Sequence, residues 1–344
     1  TNLLSFDHYL DEPWAPWADS FMRWNDFYAS RAAEFLLHVD RDRPFFLSCG
    51  FSLTHRKGPG EQWHTSEMAS DPLGDPRFVR PPLPLPDTPE TRRDFADFRV
   101  AVKHLDRCMG RVLDALAEAG LAEQTLVIVT TDHGIAYPRM KCNLNDQGTG
   151  VMLMMRGPAK SGVEASSVRW EGGRVFDALV SHVDVCPTLC EAAGIPFPDW
   201  LQGRSMVPLL EGASAIREEV FSEINWHGYP EPMRSVRTDR YRYVRRFLIR
   251  KPSDNCDASV TRTLFRRRGW DEQPVAVEAL YDLFFDPTES VNLAGDPAHA
   301  LILREMRDQL RRWMVATEDP VLSGRLIPIP GMRCRLGDKD QKGE

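Results

Sequence analysis

The run Val127-Ile128-Val129-Thr130-Thr131-Asp132-His133-Gly134 ends an apolar, β-branched stretch with a carboxylate and an imidazole side by side. Aspartate offers a hard oxygen ligand and histidine a nitrogen ligand, so the pair is a candidate for part of a divalent-metal site. Lys141 follows a few residues later, in the string KCNLNDQGTG. A second apolar run, Pro44 to Phe51, leads into a Gly/Pro loop that carries His55, Arg56 and Lys57. A metal and several cations gathered at strand ends would suit transfer of an anionic group, because the charge on the transferring oxygens must be neutralised. Each part alone also has a plainer reading: Asp132 as a turn cap, His133 as a surface histidine, each cation as a solvated loop charge.

The elements that would position these residues follow from periodicity. Phe21, Trp24, Phe27, Tyr28, Ala32, Phe35 and Leu36 predict an amphipathic helix over 18–39. Phe95, Phe98, Val102, Leu105, Met109, Val112, Leu113 and Leu116 predict a second over 90–120, with Gly120 as its C-cap. Pro44–Phe51, Thr125–Val129 and Val151–Met155 have strand length, and the middle one is apolar on both faces. With a helix predicted over 181–193, this alternation predicts a mainly parallel α/β sheet flanked by helices. Ligands of open sheets of this kind bind beyond the carboxyl ends of the strands, where Asp132 and His133 fall. After about residue 215 the pattern changes to stretches that read as strands joined by turns, VFSEINWHGY, MRSVRTDRYRYVRRF and ALYDLFFDPTESVNLA, followed by a helix over 297–317. These predict a smaller C-terminal α+β subdomain, with the boundary placed at 230/231.

Composition excludes little. Of 344 residues, 42 % are hydrophobic and 27 % charged, and the net charge of −7 gives no general attraction to nucleic acid or anionic lipid. No window has the apolar length of a membrane span. The seven cysteines contain no CxxC pair, so a zinc ribbon is not indicated, and Cys186 and Cys190 read as small buried hydrophobes. The first residues are acidic and lack a long apolar core, so they predict no signal peptide. Without an initiator Met, the chain reads as beginning inside a longer gene product.

TTDHGIAYPRMKCNLNDQGTGVMLMMRGP resembles the second metal-binding stretch of the sulfatases, in the alkaline-phosphatase-like superfamily. RPFFLSCGFSLTHR, HVDVCPTLCEAAGIPFPDWLQGRSMVPLLEG, PMRSVRTDRYRYV and ALYDLFFDPTESVNLA resemble further family segments in the right order. PFFL…THR, EPMRSVRT and RDQLRRWMVATEDP are most similar to the sulfamidase branch. The resemblance implies one divalent cation, usually calcium, bound by Asp132 with His133 in the neighbouring position. It implies that Lys141 holds a sulfate oxygen and that His55 contacts the sulfate group. Glu223, Asn225, His227 and Arg234 fall where the family shapes its substrate pocket; for Arg234 and Arg237 a charge pair within the small subdomain is an equal alternative.

The family also carries an adjacent pair of acidic metal ligands and a CxPSR-like motif whose Cys or Ser becomes formylglycine. None of the seven cysteines here has that context. The expectation is therefore a calcium-dependent sulfatase acting on an O- or N-sulfated sugar such as a glycosaminoglycan unit. Its nucleophile would come from a missing N-terminal segment or chain, and this chain alone would be inactive. Two alternatives stay open: a metal-dependent phosphodiesterase or phosphonate hydrolase of the same superfamily, and a non-catalytic binder of sulfated glycans. The resemblance is compatible with a homodimer. It leaves the compartment open, since family members are often periplasmic, secreted or lysosomal.

Overall fold

The computed structural model describes residues 21–56, 63, 74–159 and 168–324. The chain divides into two compact units, residues 1–125 with 258–263 and residues 126–257 with 264–344. Among the described residues no helix is long and apolar enough to cross a membrane.

In the first unit, helices α1 (Phe21–His38) and α2 (Pro89–Glu118) pack against each other. Their buried positions are mostly small, Ala29 and Ala32 on α1 and Ala96, Val100, Ala101 and Cys108 on α2. The start of α2 is fixed by its sequence. Pro89 presets the first helical φ, and Thr88 and Thr91 cap each other through reciprocal side-chain to backbone bonds. It ends at Gly120, whose φ of +71° suits a glycine. Asn25 of α1 reaches the loop that leads to His55, accepting from the amides of Ser52 and Leu53 at 2.9 and 3.2 Å. Asp94 of α2 is a buried hub that accepts both arms of Arg56 (2.8 and 3.0 Å), the Trp63 indole (2.7 Å) and the Thr261 hydroxyl (2.6 Å). Arg56 is thus a core ion pair stacked on Trp63 and not a rim cation, because its charge is met inside the fold. Lys57 lies outside the described residues.

The second unit holds two sheets. β1 (Val127–Thr130) pairs antiparallel with β2 (Leu153–Arg156). β3 (Val220–Trp226), β4 (Pro230–Arg237), β5 (Tyr241–Arg246) and β6 (Glu278–Asp282) form an antiparallel sheet in that order. The expected mainly parallel sheet is not seen among the described residues, where every ladder is antiparallel. A parallel return needs a crossover, usually a helix, but β1 and β2 are joined by a segment whose only helix is one turn, α3 (Asp146–Thr149). Pro44–Phe51 joins no ladder, and β1 is only partly buried. Residue 230, where the smaller subdomain was expected to end its neighbour, is the first residue of β4 and pairs with Trp226 of β3.

The helix over 181–193 is a short 3-10 turn (His182–Asp184) running into α4 (Val185–Ala192). It buries Pro187 and Thr188, so Cys186 and Cys190, one turn apart on another face, are exposed and half-buried and not core.

The core of this unit lies between the four-stranded sheet and a C-terminal helix, Ala300–Ala316, where Val236, Tyr243 and Leu280 meet Leu303, Met306, Leu310 and Met314. Just past that helix Asp319 receives Nε and Nη2 of the fully buried Arg234 at 2.6 and 2.9 Å. Removing either partner strands a charge in the interior. Asp319→Ala is expected to cost about 3–5 kcal/mol of unfolding free energy. Arg234→Lys should also destabilise, since an ammonium cannot make two parallel bonds. Urea titration measures both; an unchanged midpoint in either variant would contradict the pairing.

Candidate functional site

The end of β1 is closed by its threonines. The Thr130 hydroxyl and the Thr131 amide donate to the Met152 carbonyl at 2.8 and 3.3 Å, and the Met152 amide returns a bond to the Thr131 hydroxyl at 3.2 Å. The chain then turns outward. Asp132 Oδ1 accepts its neighbour's amide at 3.0 Å, and the side chain is 86 % exposed. His133 Nδ1 donates to the Gly134 carbonyl at 2.7 Å, which leaves Nε2 as the basic nitrogen. That Nε2 faces Asp132 Oδ2 at 3.4 Å. Their separation suits adjacent ligands of one divalent ion at about 2.3–2.6 Å, so the pair fits part of a coordination shell. Calcium takes roughly six to eight oxygens, so these two donors do not complete one.

Gly134 seats this turn on the next loop. Its amide donates to Gly148 O at 2.9 Å, and a Cβ there would lie 1.8 Å from the Gln147 carbonyl oxygen. The same loop presents Lys141, whose amide donates to Ile135 O at 3.1 Å. Arg139 and Cys142, one on each side of Met140-Lys141, both have φ of 66°, a left-handed conformation rare for such side chains. Asn145 helps hold it, donating to Arg139 O at 2.7 Å and accepting from Gly148 N at 3.0 Å. Lys141 is only 7 % exposed, and its Nζ donates to Asp257 Oδ2 at 2.8 Å.

The loop is moored to the four-stranded sheet through Asp146, the first residue of α3. Its carboxylate takes Arg237 Nε at 2.9 Å and the buried Arg242 guanidinium. Its amide donates to Glu289 Oε2 at 2.6 Å. Burial alone would raise the Asp146 carboxyl, but the Arg242 and Arg237 charges outweigh it and hold the group below the usual range. For Glu289 burial wins over Arg242, and its carboxyl is pushed up to about 7. Arg139 completes the set by donating to Glu289 O at 2.9 Å.

The remaining expected residues lie on or beside the edge strand β3. Glu223 pairs with Arg234 and is exposed, and Asn225 falls at a register irregularity between Ile224 and Trp226. Asn225 Oδ1 is buried without a hydrogen bond. His227 is exposed in the turn to β4. Arg234 is different in kind: with its guanidinium on Asp319, and Glu223 Oε2 at 3.2 Å from its Nε, it belongs to the interior of the sheet. His55 belongs to the first unit, where it is exposed with Nδ1 on the Arg56 carbonyl at 2.7 Å.

Sequence reading missed three residues. His182 Nε2 is 2.9 Å from the Thr130 hydroxyl at the end of β1. Asn255 Oδ1 accepts from the amides of Gly228 and Tyr229 at 3.0 and 2.8 Å, pinning the turn that carries His227. Asp257, two residues on, holds Lys141. Thus Asn255–Asp257 joins two expected residues that the sequence sets far apart; the polar run SDNCD carries no periodicity that could have revealed it. Among the described residues another group of metal-competent side chains exists, Asp26, His104 and Cys108 in the first unit. There the carboxylate already takes Arg111 at 3.2 Å, His104 at 3.1 Å and the Cys108 thiol at 3.8 Å, as a hydrogen-bonded acceptor.

Comparison with known proteins places this geometry. A solved 2-O GAG sulfatase superposes on 96 % of the chain, and the chain on 70 % of it, with a TM-score of 0.58 at 20 % identity. The structure of a protein in complex with its substrate D-glucosamine-2-N,6-O-disulfate covers 67 % of the chain, itself covered over 42 %, with a TM-score of 0.51 at 18 % identity. These likenesses define an α/β fold of the alkaline-phosphatase-like kind. The sulfatase family model matches residues 2–195, and the model of the N-sulphoglucosamine sulphohydrolase C-terminal region matches 153–254. The chain belongs to the sulfatase family. It is 34 % identical to the human N-sulphoglucosamine sulphohydrolase over 325 residues, which span 83 % of this chain and 63 % of that relative.

Two consequences are measurable. Gly134→Ala must displace backbone and is expected to cost about 2 kcal/mol or more, whereas Gly110→Ala, in mid-α2 with nothing within 4 Å of the new methyl, should gain roughly 0.5–1 kcal/mol. Thermal melts of the two variants moving the same way would contradict this. Glu289 binds its proton more tightly folded than unfolded. Its stabilisation is therefore full below about 4.5 and is lost as pH rises toward about 7. Glu289→Gln should flatten the decline in melting temperature across that window; an unaltered slope would mean another group titrates there.

Proposed function

We propose that the protein is a sulfatase that hydrolyses a sulfate ester or N-sulfo group on an amino sugar, with a divalent cation, calcium, as its cofactor. The observation that carries this reading is the Gly134–Gly148 contact, which fixes the Asp132–His133 turn and the Lys141 loop as one assembly. Family membership and the names of the relatives support the chemistry, and the human relative's name supports N-sulfoglucosamine among the substrates.

Within this reading Asp132 and His133 Nε2 would hold the cation, which would supply positive charge to neutralise the anionic group. Lys141 bonds a sulfate oxygen as a point charge. His55, whose Nδ1 bonds the Arg56 carbonyl, contacts the sulfate through Nε2. Glu223, Asn225 and His227 line the sugar side, and Arg234 shapes that strand from within. No cysteine of these 344 residues has a formylglycine context. The nucleophile is therefore assigned to residues outside them, and this chain's share of the work is binding and charge neutralisation.

The test is sulfate release from N-sulfoglucosamine and 6-O-sulfoglucosamine by protein purified from its native source, beside phosphate release from 4-nitrophenyl phosphate. Lys141→Ala is expected to lower kcat/KM on the sulfated sugar about 10²–10³-fold. His227→Ala should lose N-sulfo turnover at intact calcium affinity. Faster turnover of the phosphate ester would overturn the reading in favour of a phosphodiesterase. Heparin binding without sulfate release, unchanged by Asp132→Ala, would favour a glycan binder.

A further inference from the structure

The segment Asn255-Cys256-Asp257 has no assigned role, yet it bonds both to the Lys141 side chain and to the turn that carries His227. We propose that Asp257 is a positioning residue of the anion site, holding the Lys141 ammonium in place and in its charged form for the sulfate group; this rests on the role proposed for Lys141.

The geometry has three parts. Lys141 is buried, so its long stem has few places to go, and its Nζ lies 2.8 Å from Asp257 Oδ2. Asp257 is itself only 16 % exposed, so the pair is shielded from water. Removing the Asp257 carboxylate would take away this counter-charge, and desolvation penalises an uncompensated buried charge. The carboxylate in turn is held by the anchor two residues earlier. Asn255 accepts the Gly228 and Tyr229 amides and donates to Tyr229 O at 3.2 Å and Glu231 Oε2 at 2.8 Å. Four bonds on one side chain leave that segment little freedom. On the other side, the left-handed residues Arg139 and Cys142 set the direction of the Lys141 stem. The ammonium is thus fixed at both ends, by its backbone and by its partner.

Glu231 on β4, which accepts from Asn255, has its carboxyl raised mainly by burial. The Cys142 thiol is pushed up to about 12, mainly by burial, and stays protonated at working pH. The basic limb of anion binding therefore reports on the Lys141–Asp257 pair.

The experiment is an NMR titration of the chain with inorganic sulfate at pH 6 and pH 9, following the amides of residues 139–142. In the native chain the affinity should change less than about threefold between the two pH values. Asp257→Asn removes a negative charge beside the anion, so sulfate should bind at least as well at pH 6, but about tenfold more weakly at pH 9. Adding Lys141→Arg to that variant, which keeps its charge at both pH values, should remove the extra pH dependence; a role confined to folding would give no such rescue. If Asp257→Asn shows the native ratio, the proposal for Asp257 is overturned while Lys141 keeps its role. If Lys141→Ala binds sulfate like the native chain, the reading of Lys141 falls, and this proposal with it. Should Asp257→Asn fail to fold, Asp257→Glu keeps the charge but moves it by one methylene. Severalfold weaker sulfate binding with the native pH ratio would then support positioning, and unchanged affinity would refute it.

Discussion

Asp146 is the fixed point of the second unit. A loop that must hold a lysine and abut a metal-competent turn cannot do so with its own hydrogen bonds alone, because its backbone is left-handed in two places. The strain is offset where α3 meets the sheet. Arg237 and Arg242, from the adjacent strands β4 and β5, converge on one carboxylate, while the same residue's amide binds Glu289. Arg242 also donates to Leu144 O at 2.7 Å, and Leu144 packs with Met233 and Val244 beneath. The loop is therefore held by charge at one residue and by apolar burial two residues earlier. Such networks are strong only when every member is satisfied, so the loop and the sheet are expected to form and melt together.

The sequence made the elements legible where they are amphipathic. Both helices of the first unit and the last helix lie where periodicity placed them, and the C-terminal stretches read as strands joined by turns hold β3 to β6. Direction of pairing was not legible. β1 is apolar and β-branched and β2 mostly apolar, as interior strands are, and composition says nothing about whether the neighbour runs parallel or antiparallel. Pro44–Phe51 shows the same limit: its residues favour an extended chain, but a strand exists only through its ladder.

The candidate site was legible in part for a related reason. Asp132, His133 and Lys141 could be read because they are close in sequence to a strand end. Asp257 could not, since it meets Lys141 only after more than a hundred residues of intervening chain have folded. Burial separated the cations in a way that spacing did not. Arg56 and Lys57 looked equivalent to His55 in sequence, yet Arg56 closes on Asp94 inside the helix pair.

The division of labour between arginine and lysine follows from their shapes. At Asp94 and Asp319 the fold uses arginine, whose planar fork gives two parallel bonds and fills space around a carboxylate. Such a pair is closed: both partners are spent on each other, which suits a core and unsuits a ligand. At the loop beside the Asp132–His133 turn the cation is a lysine whose Nζ donates to Asp257. An ammonium carries three donors on a compact charge, so a carboxylate can steady it without enclosing it. An arginine locked in a fork at position 141 would leave an incoming anion to compete with its carboxylate, whereas a lysine can share itself between the two. The chain therefore builds its interior from forks and its proposed anion site from a tethered point charge.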